Sequence, residues 1–380
     1  MQPSAWMALG GLVVGLVGFG RFRSIGRHIG SGTERGTGHS ARSAERGARV
    51  RIIIPARNEA SNLPGLLSDL GGELPAQLMV TVVDDHSTDD TRRVVERFEF
   101  VDLLSAPSLP HGWTGKSWAC HVAAESAASG DVLVFLDADV RLAPGAVDDL
   151  LAERARRGGV VSVQPRHLVR RPIERLSALF NVVSVIGIGA GWRHPAGLFG
   201  PVVCITARDY RMIGGHAAVR GEVIEDVALG RRAVAAGLPV TVLGGGDRFT
   251  FRMYPDGFFQ LVEGWTKNFA SGARSAGGRA TIGAAGLITA LCSVSWQLAG
   301  LAVGAASWSA PVVWGLATAA VLTLLVMFHR IGNFGLGTAL AFPVLVTFFV
   351  AVFGRSVYRT VVRRNVVWRG RTIPIGGAGE

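Results

Sequence analysis

The stretch Asp131-Val-Leu-Val-Phe-Leu-Asp137-Ala-Asp139 limits the fold more than any other part of the chain. Its apolar run, Val132 to Phe135, is too short for a helix. A run apolar on both faces reads as a buried strand of a parallel sheet. Two carboxylates, one small residue apart, then close the strand. Open α/β sheets bind ligands beyond the carboxyl ends of their strands, so acids placed there face a crevice. Asp-x-Asp suits a hard cation that keeps some of its water and clamps a diphosphate, Mg2+ or Mn2+ rather than zinc. A turn with two solvated acids has the same local sequence, and only the surroundings separate the two.

Those surroundings repeat the device. Val50-Arg51-Ile52-Ile53-Ile54 is a β-branched strand, and Pro55-Ala56-Arg57-Asn58-Glu59 follows at its end. Ser61 is placed to cap a helix with Pro64 in its first turn and Leu63, Leu66, Leu67 and Leu70 on one face. Met79 to Val83 is a second strand, tipped by Asp84-Asp85-His86-Ser87, and Asp89 and Asp90 open the next helix at its positive end. Strand, polar tip and helix in succession predict a doubly wound, nucleotide-binding α/β half. Val160–Val163 and Val240–Leu243 are further strands, a short helix starts near Arg208, and Glu225-Asp226 precedes a helical Val227-Ala228-Leu229.

The chain outside this core points to a membrane. Of 380 residues 49% are hydrophobic, high for a soluble enzyme. The formal charge of +11 sits at two places: eight arginines against Glu34 and Glu45 in residues 21–51, and six against Glu380 in residues 355–380. Both flank hydrophobic segments, as contacts to anionic lipid on the cytoplasmic face would. A nucleic-acid binder would carry its basic patch on the folded domain, so nucleic acid is excluded as a partner. Cys120, Cys204 and Cys292 lack ligand spacing, which argues against a disulfide scaffold or a zinc site.

The organisation expected is an N-terminal anchor over 1–20, an Arg- and Gly-rich flexible linker over 21–49, an α/β domain over 50–280, membrane segments over 281–354 and a basic cytoplasmic tail over 355–380. The anchor has its arginines after the apolar run, opposite to a signal peptide, which puts its C-terminal side in the cytoplasm; it is slightly short for a full span, and an interfacial helix is the alternative. Residues 281–306 and 310–328 are uncharged and long enough to span. A third run, 335–354, contains Pro343; were it to cross, the basic tail would lie outside, so a break at Pro343 with the tail inside is the favoured arrangement. The apolar stretch 173–192 is interrupted by Asn181 and several glycines; a core helix, an interfacial helix and a re-entrant segment are all open, and a position against the bilayer is favoured.

The tips Pro55-Ala56-Arg57-Asn58-Glu59, Asp84-Asp85-His86-Ser87 and Asp137-Ala138-Asp139, with the later Glu225-Asp226, occur in the order that resembles inverting family 2 glycosyltransferases of the GT-A fold. The resemblance implies a Rossmann-like nucleotide-diphospho-sugar transferase domain with N- and C-terminal transmembrane helices. It implies that Pro55, Arg57, Glu59 and Asp85 or Asp84 hold the nucleoside. Asp137 and Asp139 meet the sugar diphosphate and its metal, Mg2+ or Mn2+, and Asp226, beside Glu225, is the general base. Residues 112–119 (Gly-Trp-Thr-Gly-Lys-Ser-Trp-Ala), Gln164-Pro165-x-His167, residues 251–257 (Phe-Arg-Met-Tyr-Pro-Asp-Gly) and residues 263–269 (Glu-Gly-Trp-Thr-Lys-Asn-Phe) are similar to the carotenoid branch, the 4,4'-diaponeurosporenoate glycosyltransferases; hopanoid-associated enzymes look similar. Processive members carry Gln-x-x-Arg-Trp where this chain has Glu263-Gly264-Trp265-Thr266-Lys267, which weakens the case for a polysaccharide synthase.

The chemistry needs these residue types independently. A departing diphosphate requires its charge neutralised, and the acceptor must be aligned and lose a proton to a carboxylate. Lys116 and Lys267 are candidate diphosphate contacts. Trp113 and Trp265 are candidates for an apolar acceptor path, with core packing as the competing role. His86, His167, His194 and His216 read as structural histidines. The expected function is transfer of a hexose, glucose from UDP-glucose, to a lipophilic acceptor such as a carotenoid acid at the cell membrane, by a multi-pass protein with its catalytic domain in the cytoplasm. The rivals are a hopanoid or polyprenyl-phosphate glycosyltransferase, a polysaccharide synthase, and a nucleotide-binding membrane transport or scaffold protein. Against transport stand the uncharged spans.

Overall fold

A computed structural model of the protein describes residues 2–26, 49–72, 78–222, 224–272, 278–360, 365–368 and 371–374. The expected linker lies largely outside the described residues, as does much of the basic tail. The chain forms two compact units: residues 23–166 with 193–252, and residues 1–22 with 167–192 and 253–380.

In chain order the strands of the first unit are β1 (Val50–Ala56), β2 (Leu78–Asp84), β3 (Val101–Ser105), β4 (Val132–Leu136), β5 (Val140–Leu142), β6 (Val160–Gln164), β7 (Arg166–His167), β8 (Val202–Thr206), β9 (Val240–Gly244) and β10 (Phe249–Phe251). Seven make one sheet in the order β3-β2-β1-β4-β8-β6-β9, and β5, β10 and β7 make a small second sheet. From β3 to β4 all pairs are parallel, the expected nucleotide-binding half. β8 runs antiparallel to both β4 and β6, so the sheet is mixed and the Asp-x-Asp strand has a parallel neighbour on one side only.

Register brings the polar tips level. Ala56 pairs with Asp84, and Ile53 pairs with Phe135. Pairing with β4 ends at Ile53, so Pro55 removes no ladder bond on that side. The sheet core is Ile52, Ile54, Val80, Val82, Val132 and Val134, all at 1% exposure or less. The helix Leu63–Gly71 covers it with Leu63, Leu66, Leu67 and Leu70, each worth about 1.5–3 kcal/mol on full burial. That helix starts at Leu63, later than a Ser61 cap would place it, and the Asn62 side chain donates to Glu59 Oε2 at 2.8 Å.

In the second unit, three helices among the described residues are long and apolar enough to cross a membrane: Pro3–Gly20, Ala280–Ala302 and Ala310–Ile331. The run over 335–354 is broken, as helices Gly335–Leu340 and Phe342–Tyr358, with Pro343 in the first turn of the latter. The stretch expected to lie against the bilayer is instead a 3-10 turn, Pro172–Ser177, and a helix, Ala178–Ile188, whose Leu179, Phe180, Val182, Val185 and Ile186 are enclosed by protein. Its Asn181 amide donates to Ser177 O at 3.0 Å, which removes the polar cost that suggested an interfacial position.

Helix Pro3–Gly20 packs on helix Gly278–Ala302 through small residues. A Cβ at Gly11 would run into the Gly286 carbonyl oxygen and lie 2.9 Å from Ala290 Cβ. In lipid, such close approach is a main source of helix association. Gly11→Leu is expected to cost about 1–3 kcal/mol by overpacking. The readout is a lower melting temperature of the detergent-solubilised protein. Gly10→Leu is the control, because nothing lies within 4 Å of a Cβ there; equal melting of the two variants would count against the packing.

Candidate active site

The β1 and β2 tips are one hydrogen-bonded structure. Asn58 and His86 both adopt left-handed backbone, at φ of 53° and 54°, a conformation most side chains avoid. Asn58 Oδ1 accepts from Thr88 N at 2.8 Å, Ser87 Oγ accepts from Asn58 N at 3.0 Å, and Asp89 Oδ2 accepts from Ala60 N at 3.2 Å. Burial raises the Asp89 carboxyl, but its hydrogen bonds from Thr91 and Ala60 hold it below the usual range. Arg57 donates to Asp85 O at 2.8 Å and lies 3.5 Å from Asp85 Oδ2. Asp84 closes its own turn, accepting from Ser87 N at 3.1 Å and pairing with Arg92 at 3.2 Å.

Beside this cradle Asp137, Glu225 and Asp226 converge on one lysine. Lys116 Nζ lies 2.8 Å from Asp137 Oδ1, 3.3 Å from Glu225 Oε1 and 3.9 Å from Asp226 Oδ1. It stands in the first turn of helix Gly115–Glu125. Thr114 caps that turn, its Oγ1 accepting from Ser117 N at 3.3 Å, and Thr114 N donates to Arg220 O at 3.1 Å. The cap thereby ties the lysine to the segment leading into helix Glu225–Ala235. Burial works against the ammonium, but Asp137, Asp226 and Glu225 hold its pKa well above the usual lysine value. Glu225 and Asp226 occupy the positive first turn of their helix, and their side chains still reach the lysine. A helix-terminal role and a site role coexist there.

Asp226 has a seat that no local pattern announces. A Cβ on Gly200 would overlap the Asp226 carboxylate. Pro201 O accepts from Asp137 N at 2.9 Å. Ser162 Oγ both donates to Phe199 O and accepts from Phe199 N, each at 2.7 Å. Residues 199–201 are therefore pinned to β6, hold the Asp137 backbone and make room for Asp226. Gly200→Ala is expected to displace Asp226 by about an ångström and lower turnover about 100-fold with the fold retained. Initial rates beside a circular dichroism spectrum test this; unchanged turnover would show that the seat is dispensable.

The first unit thus brings together Pro55, Arg57, Glu59, Asp84 and Asp85 at the first two tips, and Asp137, Glu225 and Asp226 around Lys116. Trp113 is half-buried beside the Lys116 helix, packed on Trp118 and His121 with ring centroids 5.0 and 4.9 Å away. Trp265 and Lys267 belong to helix Phe258–Gly272 of the other unit. Trp265 is 3% exposed, stacked on Phe180 at 4.9 Å, and its indole N–H donates to Ser177 Oγ at 3.0 Å. Its surroundings are those of a core residue. His216 is likewise structural: its Nδ1 is 2.9 Å from the Tyr210 hydroxyl, and burial lowers its pKa to about 4, which keeps it neutral. Sequence reasoning missed Ser162, Gly200, Pro201 and the Thr114 cap; their signal is spatial.

Among the described residues no group of three His, Cys, Asp or Glu side chains is placed to hold a metal unaided. Asp137 and Asp139 fit a hard divalent cation that takes its other ligands from phosphate and water. Burial, the Asp137 charge and the Glu59 charge push the Asp139 carboxyl up to about 7, a site with more negative charge than the protein offsets at that carboxyl.

Residues 51–179 match the family model described as glycosyl transferase family 2. A 4,4'-diaponeurosporenoate glycosyltransferase of Staphylococcus aureus (strain USA300) is 33% identical over 337 residues, 86% of this chain and 88% of that protein. One from Staphylococcus haemolyticus (strain JCSC1435) is 36% identical over 243 residues, 62% of this chain; the match spans 64% of that relative's length. Among solved structures, a mannosyltransferase from Pyrobaculum calidifontis in complex with GDP-Man and Mn2+ is similar at a TM-score of 0.49 and 17% identity, covering 93% of this chain and 99% of that one. Glucosyl-3-phosphoglycerate synthase from Mycobacterium tuberculosis, in complex with Mg2+ and UDP, is similar at a TM-score of 0.46 and 17% identity, covering 63% and 83%. The mixed sheet with its acidic strand tips is a GT-A fold. The chain belongs to glycosyl transferase family 2.

Proposed function

We propose that the protein is a membrane-bound, inverting, metal-dependent glycosyltransferase that transfers glucose from UDP-glucose to a carotenoid acid. The observation that carries this is the convergence of Asp137, Glu225 and Asp226 on Lys116, with Asp139 two residues along. The acceptor class is supported by the name of the Staphylococcus aureus relative, which spans most of the chain.

In this reading the cradle formed by Arg57, Glu59 and Asp85 receives the nucleoside, and Asp84 keeps the cradle's shape through Arg92. Asp137 and Asp139 hold Mg2+ or Mn2+, which when bound neutralises charge on the departing diphosphate. The acceptor oxygen attacks the anomeric carbon from the opposite face, its new C–O bond forming as the bond to the diphosphate breaks, and UDP leaves. A hydroxyl acceptor gives its proton to Asp226. A carboxylic acid acceptor is already ionised near neutrality, and Asp226 then orients it. Trp113, beside the Lys116 helix, is a candidate contact to the acceptor. The three apolar helices form the anchor. With Arg21 and Arg23 after the first and Arg330 ending the third, the catalytic unit is on the cytoplasmic side.

The test is incubation of membranes containing the full chain with a carotenoid acid and a panel of labelled UDP- and GDP-sugars, followed by mass spectrometry of the lipids. A glucosyl ester made from UDP-glucose is expected. Label entering hopanoid or polyprenyl phosphate in its place would overturn the acceptor assignment, and no transfer from any donor would overturn the enzyme itself.

A further inference from the structure

Lys116 stands between carboxylates that serve different tasks. Its ammonium is 2.8 Å from Asp137, a proposed cation ligand, and 3.3 and 3.9 Å from Glu225 and Asp226, on the acceptor side. One positive charge is shared among three negative ones, and the shortest contact falls on the residue a divalent cation needs. A cation held by Asp137 would add a second positive charge beside the ammonium, and like charges repel strongly in a half-buried site. The lysine has somewhere to go: Glu225 and Asp226 are already within reach, and its place at the start of a helix puts backbone N–H groups beside any arriving anion.

We propose that Lys116 is a built-in counter-cation that competes with the divalent metal for Asp137, so that metal binds tightly only together with a diphosphate. The inference rests on the assignment of Asp137 and Asp139 to a metal. It adds an order of events: metal alone binds weakly, because it must displace the ammonium. A donor diphosphate would give the displaced ammonium a new partner and add negative charge beside the metal, so the two ligands would favour each other. The link to Glu225 and Asp226 carries the exchange to the acceptor side, where the ammonium's departure from Asp137 alters how it is shared with both acids.

The experiment titrates Mn2+ alone into the detergent-solubilised full chain, reading free Mn2+ by electron paramagnetic resonance, and repeats it with UDP present. Lys116→Met and the milder Lys116→Gln, which keeps a hydrogen-bond donor among the acids, are each expected to bind Mn2+ alone about tenfold more tightly than the wild type. Lys116→Arg, which keeps the charge, is expected to bind it no more tightly. UDP is expected to tighten Mn2+ binding at least tenfold more in the wild type than in Lys116→Gln. Neutral variants that bind Mn2+ no better than the wild type would overturn the proposal, whereas the metal assignment survives if that binding still depends on Asp139. Absence of Mn2+ binding in every variant would overturn both.

Discussion

Replacing Asp226 by Asn is expected to lower transfer to a hydroxyl acceptor about 1,000-fold, and transfer to a carotenoid carboxylate only about tenfold. The difference follows from where a proton must go. A hydroxyl is a poor nucleophile until its proton is taken, and Asp226 is the acid seated on Gly200 with an oxygen 3.9 Å from the lysine. A carboxylate has no proton to give. The variant keeps the shape of the side chain, and Lys116 retains Asp137 at 2.8 Å and Glu225 at 3.3 Å, so the site does not collapse. Rates with one carotenoid acid and its alcohol analogue, measured in the same membranes, check the ratio. Equal loss with both would mean that Asp226 positions the acceptor and does not act as a base.

Much of this candidate site was legible because Glu59, Asp84, Asp85, Asp137 and Asp139 lie at or just beyond the ends of strands, where apolar run and polar tip adjoin in sequence. Val50–Ala56, Leu78–Asp84 and Val132–Leu136 all emerge near where short apolar, β-branched runs place them, and their parallel register sets the tips level. β8 was not legible. Val202-Val203-Cys204-Ile205-Thr206 is apolar enough to be a strand, but it follows a glycine-rich stretch with no acidic tip, and period alone cannot assign so short a run. Nor does a sequence announce that such a strand is antiparallel. Trp265 has two roles open to it in sequence, an acceptor path and core packing, and packing among Phe180, Tyr254 and Phe269 accounts for its burial. Gly200 carried no signal, since its role exists only once helix Glu225–Ala235 lies across it. In sequence, Lys116 is a candidate diphosphate contact. Its three carboxylate neighbours, 21 to 110 residues away in sequence, become visible only in space.

Asp139→Asn is expected to abolish transfer, by about 1,000-fold, while raising the melting temperature of the metal-free protein. The two effects share a cause. Burial, Asp137 and Glu59 raise the Asp139 carboxyl from 3.8 to about 7, so the folded chain holds this proton more tightly than the unfolded chain does. That shift favours folding fully at pH below about 4, loses its benefit as pH rises toward 7, and leaves an ionised carboxylate that strains the fold above 7. Asn carries no charge at any pH. Its gain in stability is therefore expected to be near zero at pH 4, to grow through the interval, and to be largest at pH 8, as a rise of several degrees. Adding Mn2+ to the UDP-saturated protein at pH 8 is expected to raise the melting temperature of the wild type and leave the variant unmoved, because ligand binding stabilises only the state that binds. A variant that loses both activity and stability at pH 8 would show Asp139 to be a structural acid, and the metal would then have to be held elsewhere. Sites of this kind retain a destabilising charge because the reaction needs it.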